Sequence, residues 1–394
     1  MKYAIVIPDG AADDPLPSLN NRTPIEAAAT PNMDLVATTG RQGLARTVPD
    51  GFESGSDVAT MSLLGYDPSV YHTGRAPLEA AAKKIPLSET DWVFRCNLVT
   101  VDDGKMIDHS AGGISDIEAG KLLADLAAAV KTPGFEFHQG VSYRHLLVVR
   151  GARAFDVNTK PPHEIPGEPT AGWVVQGPGS ADLLAVIELS KKIFADHPVN
   201  RARVAAGKRP ATQVWLWGQG HAPAMPKFVD RFGVKSGCMI TGVDLLRGLA
   251  VLLGWDVHEV PGMTSFHDTD YARQGTDTAE MIDRYDLVLS HVESPDEASH
   301  QADVTTKVAA IEEIDRHVVG PVLAKLRTYP AWRLMVLPDH PTHIATRKHG
   351  YAPTPFAICG TGIPAGGLTY SEANAAKGTR VEHGHKLMEL FLRA

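Results

Sequence analysis

The amino-acid sequence predicts an α/β protein: a mostly parallel sheet flanked by helices, interrupted by a smaller α+β module. Three observations carry that expectation. Short apolar runs such as Lys2–Ile7 and Leu287–Val292 alternate with helical patterns towards both ends of the chain; this is the order of a parallel sheet covered on both faces. From about Leu78 the texture changes to paired strands around a tight turn, as in an α+β arrangement. Past Lys235 the alternation returns. The expected division is a core of 1–77 and 210–394 and an inserted module of 78–209.

Taken in order, Lys2–Ile7 reads as a buried strand ending at Pro8-Asp9-Gly10. Asp9 is then either a turn former or a ligand-binding group at the carboxyl end of a strand, where open α/β sheets hold their ligands. Thr23-Pro24-Ile25-Glu26 has capping-box spacing with proline at the first helical position, and Thr30-Pro31 starts a second helix ending near Gly40. Leu44–Val48 is a short strand that leads to Gly55-Ser56-Asp57 and an apolar run stopped by Gly65. Ser56 thus stands at a helix N-terminus, as a capping residue or as a nucleophile where an anion is favoured. Tyr71–Pro77 reads as a loop with one cation, Arg75.

In the module, Phe94–Val101 and Lys105–His109 form a hairpin around Asp102-Asp103-Gly104, a strong turn signal. Ile117–Val130 and Leu183–Phe194 are helices and Tyr143–Arg150 is a strand; Pro198–Pro210 reads as a basic loop. Arg95, His109, Arg144 and His163 are its candidates for holding an anion. Val214–Gly220 is a strand. The second half continues with strands at Cys238–Ile240, Asp256–Val260, Leu287–Val292, Leu334–Leu337 and Pro355–Cys359. Helices at Val243–Leu253 and Thr276–Tyr285 separate the first three, and a long amphipathic helix carrying Val304, Val308, Ile311, Val318, Val322 and Leu326 precedes Leu334–Leu337.

Composition limits the function classes. The chain has 394 residues, 43% hydrophobic and 21% charged, ordinary for a globular protein and long enough for two domains. A net charge of −8 argues against nucleic acid as the main partner. Cys96, Cys238 and Cys359 stand far apart outside any CxxC pattern, which excludes a disulfide scaffold or zinc ribbon and points to a reducing compartment. No run approaches the ~18 apolar residues of a membrane span, and Tyr3–Ile7 is too short for a signal peptide. A cytoplasmic setting, without membrane or nucleic-acid partners, is expected.

Chemistry concentrates after the strands of the second half. Asp296 and His300 are four apart, so one helical turn puts them on one face. Asp339-His340 follows the strand at Leu334, and His349 precedes the strand at Phe356. With Asp9 these make three carboxylates and three imidazoles, enough for two divalent cations; the mixed O/N set suits Mn²⁺ or Zn²⁺ better than Mg²⁺. His343 is a spare, an outer partner or a bystander. Two cations about 4 Å apart can clamp the attacking and leaving oxygens of phosphoryl transfer, and a metal-bound serine hydroxyl is an activated nucleophile.

Pro8-Asp9-Gly10, Gly55–Thr60 through Leu64–Pro68, Thr73–Ala80, Trp215–Gly220, Asp296-x3-His300, Asp339-His340 and His349 together resemble the cofactor-independent phosphoglycerate mutases of the archaeal type, within the alkaline phosphatase superfamily. The resemblance covers essentially the whole chain. It implies an alkaline-phosphatase-like core with an inserted cap, and two metals, commonly Mn²⁺. By motif match, Asp296, His300 and His349 would hold one metal; Asp9, Ser56, Asp339 and His340 would hold the other. The implied reaction is glycolytic: phosphate moves from 3-phosphoglycerate to Ser56, and returns to the 2-hydroxyl after the glycerate reorients. His109 and Arg144 would act in catalysis, and Arg75, His163 and Arg247 would bind a small phosphorylated carboxylate. A homoserine kinase-like phosphotransferase or a phosphatase on the same metal core is the alternative. The chain has no P-loop, which counts against an ordinary nucleotide-dependent kinase.

Overall fold

The computed structural model describes residues 1–393. The chain divides into two compact units, 1–72 with 224–394, and 73–223. The composition change near Leu78 and the second expected boundary at 209 both fall inside the second unit. The helix Arg75–Ala82 and the strand Gln213–His221 pack on the strand Trp92–Asp102, and so belong with it.

The first unit is built on an eight-stranded sheet. Its order is 379–381, 41–45, 354–360, 332–336, 2–8, 287–292, 237–240 and 256–257. Lys2–Pro8 lies at the centre, parallel to Trp332–Val336 on one side and Leu287–Val292 on the other. Thr354–Gly360 is antiparallel to both its neighbours. The central strands are buried along nearly their full length, which is why they read as continuous apolar runs rather than alternating ones. One face carries Ala4, Val6, Val288, Leu334 and Val336 against Ile311, Ile314, Val318 and Val322 of the long helix.

That helix is not uniform. Val304–Ile314 and Gly320–Leu326 are α-helical, and Asp315–Val319 between them is a π turn. The carboxylate of Asp315 accepts from the backbone N–H groups of Met33 at 2.7 Å and Asn32 at 3.1 Å. It thereby satisfies open donors at the start of the helix Pro31–Thr38. A polar residue on the apolar side is accommodated because the widened turn lets it reach a neighbouring helix end.

The second unit is an antiparallel sheet with helices. Trp92–Asp102 is central, pairing Arg144–Val149 and Lys105–Asp108 along one edge and Gln213–His221 along the other. Asp103 and Gly104 both have positive φ, which gives the expected tight hairpin turn. Phe135–His138 adds an edge strand that the sequence pattern did not single out. Two loop expectations are corrected. Residues 198–205 form a helix: Pro198 takes its first position and the His197 side chain caps it. Its Arg203 is buried, bonded to Glu118, to the carbonyls of Ala111 and Gly112, and to that of Arg209, so this charge braces the fold. Arg75, expected in a loop, opens the helix Arg75–Ala82.

His145 in this unit is 1% exposed. Its Nδ1 accepts from the Gly140 N–H at 3.0 Å, and burial lowers its pKa to about 4. The folded value lies below the unfolded one, so between about pH 6.5 and 4 the native state binds fewer protons and stability falls as pH falls. The full loss is about 3 kcal/mol. Urea unfolding followed across this window is expected to show that slope, and the His145→Leu variant a flatter one.

Candidate active site

The metal-type residues of the first unit all stand at, or just beyond, strand ends. Asp9 follows Lys2–Pro8, and Asp339 and His340 follow Trp332–Val336. Asp296 and His300 lie on the helix Ser294–His300, entered directly from Leu287–Val292. His349 ends the short strand Lys348–His349, paired with Thr342–His343. Because the three long strands are parallel and adjacent, their carboxyl ends fall on the same edge of the sheet.

Two ligand sets result. In the first, His300 Nε2 is 3.1 Å from Asp296 Oδ2 and His349 Nε2 is 3.4 Å from Asp296 Oδ1. The two Nε2 atoms are 3.1 Å apart. In the second, His340 Nε2 lies 3.6 Å from Asp9 Oδ1 and 3.6 Å from Asp339 Oδ2. In each set one donor atom per residue lies within 4.8 Å of the others.

Ser56 is the first residue of the helix Ser56–Leu63, with Gly55 at the cap position. Its hydroxyl caps nothing. Ser56 Oγ is 3.3 Å from Asp9 Oδ2 and 3.3 Å from His340 Nε2, facing the second set.

Electrostatics fit a cation here. Asp9 Oδ1 and Asp339 Oδ2 are buried without a hydrogen-bond donor, a costly state for a carboxylate. Burial first, then the neighbouring carboxylates of Asp339 and Asp296, push the Asp9 pKa well up. A divalent cation would reverse that shift by neutralising the cluster. The hydrogen bond to Asp296 raises His300 to about 9. The donor chemistry, carboxylate with imidazole, fits a divalent transition metal in both sets.

Several supporting residues escaped the sequence reading. His291 Nε2 lies 3.2 Å from Asp9 Oδ2, and burial lowers this imidazole to about 4, so it is neutral. His72 Nε2 is 2.9 Å from the buried Asp57, the neighbour of Ser56. Lys307 is fully buried, donating to Asp13 at 3.0 Å and to the Thr342 carbonyl at 2.7 Å. Asp13 also contacts His343 at 3.2 Å and accepts from the Ile344 N–H, so the spare histidine partners Asp13. The signal available for Asp13 and Lys307 was only an acidic residue near Asp9 and a lysine on an apolar helix. Lys307→Met leaves Asp13 buried without its cation and is expected to cost about 3–5 kcal/mol in denaturant unfolding.

The substrate-side candidates of the second unit are brought together. The His109 ring is 5.6 Å from that of Tyr143 and 6.1 Å from that of His163, which lies 5.5 Å from Trp217. The Arg95 guanidinium sits 4.5 Å over Trp217 and pairs with Glu79, and Arg144 lies beside Tyr143. Burial, then the charge of Arg75, lowers His163 to about 4, so its imidazole is neutral. Arg247 is not part of the second unit. It lies in the first unit, donating to the Thr241 carbonyl at 3.1 Å with Asp244 and Glu259 nearby.

Comparison with known proteins places the chain in a family. Residues 37–200 match the family model for 2,3-bisphosphoglycerate-independent phosphoglycerate mutase. A protein of that name from Methanothrix thermoacetophila is 47% identical over 96% of both chains. A Geobacter sulfurreducens protein, named as a probable member, is 41% identical over the whole of both. Among solved structures, a Pyrococcus horikoshii protein superposes with TM-score 0.83 at 26% identity, covering 99% of this chain and 96% of that one. The cofactor-independent phosphoglycerate mutase of Thermoplasma acidophilum gives 0.68 at 27% identity, over 100% and 99%. With relatives this similar along its full length, the chain belongs to the family of 2,3-bisphosphoglycerate-independent phosphoglycerate mutases.

Proposed function

We propose that the chain interconverts 3-phosphoglycerate and 2-phosphoglycerate without bisphosphoglycerate, with Ser56 as the transient phosphate carrier. The observation that carries this reading is the Ser56 hydroxyl at 3.3 Å from both Asp9 and His340, inside a cluster of donor-poor carboxylates. Two divalent cations, Mn²⁺ in this reading, held by Asp296, His300 and His349 and by Asp9, Ser56, Asp339 and His340, would activate the serine hydroxyl and neutralise charge on the phosphoryl oxygens.

The steps of the chain itself follow. Ser56 Oγ attacks phosphorus as the bond from phosphorus to the 3-oxygen of glycerate breaks, and the serine proton ends on that oxygen. In the second half the 2-oxygen attacks the phosphoserine, and its proton returns to Ser56. The helix start at Ser56 adds backbone N–H groups suited to an anion. In the second unit, Arg75, Arg144, His109 and the neutral His163 form a cluster suited to the glycerate carboxylate and hydroxyls. His109 and Arg144 are assigned to catalysis and Arg75 and His163 to binding; Arg247 stays a weaker binding assignment because its contacts run to its own unit. Arg75→Ala is expected to raise KM about tenfold or more, read by steady-state kinetics, since it removes a charge-assisted contact.

We also assign the protein to the cytoplasm. All three cysteines are free and buried, and no described helix is long and apolar enough to cross a membrane. The function is tested with purified protein, 3-phosphoglycerate and Mn²⁺, without bisphosphoglycerate, coupled to enolase. Steady product formation is expected. No product, with homoserine phosphorylated or free phosphate released instead, would overturn the mutase reading.

A further inference from the structure

Thr342 stands between the two ligand sets. Its Oγ1 is 2.5 Å from Asp296 Oδ1 in the first set and 3.2 Å from His340 Nδ1 in the second. It is fully buried, as is His340. A threonine hydroxyl has one proton to give and lone pairs to accept with. The Asp296 carboxylate accepts only, so the proton goes there. The same oxygen is then left to accept from His340, which puts the imidazole proton on Nδ1 and leaves Nε2 as a lone-pair donor. Nε2 is the nitrogen that faces Ser56, Asp9 and Asp339.

We infer that Thr342 is a positioning residue that couples the two metal positions through this single hydroxyl. It turns Asp296 so that Oδ2 is presented to His300, and it fixes the tautomer that His340 needs to bind a cation through Nε2. Thr342 is held in place from three directions. The Thr342 N–H donates to the Ala12 carbonyl at 3.1 Å, and Lys307 donates to the Thr342 carbonyl at 2.7 Å. Gly10 has φ +61, and a Cβ there would lie 2.6 Å from both Thr342 Oγ1 and Asp296 Oδ1. Only a glycine there lets the backbone close against this pair. Lys307 and Asp13 have their place in the same arrangement, since they hold the backbone on which Thr342 sits.

The inference rests on the two-cation reading, and the experiment separates the two. Mn²⁺ is titrated calorimetrically into the full-length, metal-stripped wild type, Thr342→Val and Thr342→Ser. The wild type is expected to take up two ions. Thr342→Val keeps the shape and loses the hydroxyl, and is expected to bind both ions about 10–100-fold more weakly. Thr342→Ser keeps the hydroxyl and is expected to stay within about threefold of wild type at both positions, and it decides the matter if the valine variant folds poorly. Binding of both ions by Thr342→Val with wild-type affinity would overturn the coupling, as would weakening at one position only or a serine variant as weak as the valine one. Fewer than two ions in the wild type would instead remove the two-cation reading, and the coupling with it.

Discussion

Replacing Ser56 with alanine is expected to lower kcat for 3-phosphoglycerate by about 10⁴-fold or more, the scale on which enzymes lose an essential nucleophile. The fold is expected to survive. Ser56 Oγ contacts Asp9 and His340 and caps no backbone group. Alanine is also the strongest helix former, so the helix Ser56–Leu63 keeps its start. Denaturant unfolding of the metal-free protein should therefore change by no more than about 1 kcal/mol. The Asp296–His300–His349 set does not include Ser56 and should still bind Mn²⁺. A Ser56→Ala enzyme with near wild-type turnover would remove Ser56 from the nucleophile role.

Stripping divalent cations with a chelator is expected to abolish turnover, by about 10³-fold or more, and adding Mn²⁺ to restore it. The cause is electrostatic. Asp9 and Asp339 bury carboxylate oxygens that no protein donor satisfies, and Asp296 adds a third negative group to the same neighbourhood. A cation compensates all three, so its removal should also lower thermal stability. Saturating Mn²⁺ at about a hundredfold over its dissociation constant would return about 2.7 kcal/mol per site. Restoration by Mg²⁺ should be weaker, because each set contains imidazole nitrogen, a poor ligand for that ion. Full activity in the chelated protein would contradict the assignment of both sets.

Much of this site was legible because strand ends are legible. Lys2–Ile7, Leu287–Val292 and Leu334–Leu337 are apolar runs too regular to misread, and each leads into a carboxylate or imidazole. Parallel packing does the rest by aligning their ends. Ser56 differs: its local sequence fits an ordinary helix start equally well, and only the distant residues Asp9 and His340 distinguish the two. The supporting residues were hidden for a related reason. Thr342 and His343 look like polar loop residues, and Lys307 like a solvated helix position; each owes its role to partners hundreds of residues away or on another element. His291 sits inside an apolar strand, where a single histidine carries little signal.

In the second unit, the stretch 198–210 was read as a loop because it is bounded by prolines and rich in basic residues, yet 198–205 is a helix. Arg203 is instead buried, where its guanidinium satisfies three carbonyls and Glu118. The edge strand Phe135–His138 was missed because it is only four residues long and partly buried, too short for its alternation of Phe with Glu and His to stand out. Arg247 has local partners that its sequence neighbourhood did not reveal: the Thr241 carbonyl, Asp244 and Glu259.

The passage of phosphate through Ser56 is read by quenching the Mn²⁺-loaded enzyme in acid during steady turnover of 3-phosphoglycerate and mapping phosphate by peptide mass spectrometry. A phosphorylated peptide containing Ser56 is expected, present during turnover and absent from the Ser56→Ala protein. Sustained conversion to 2-phosphoglycerate with phosphate on another residue, or on none, would contradict it.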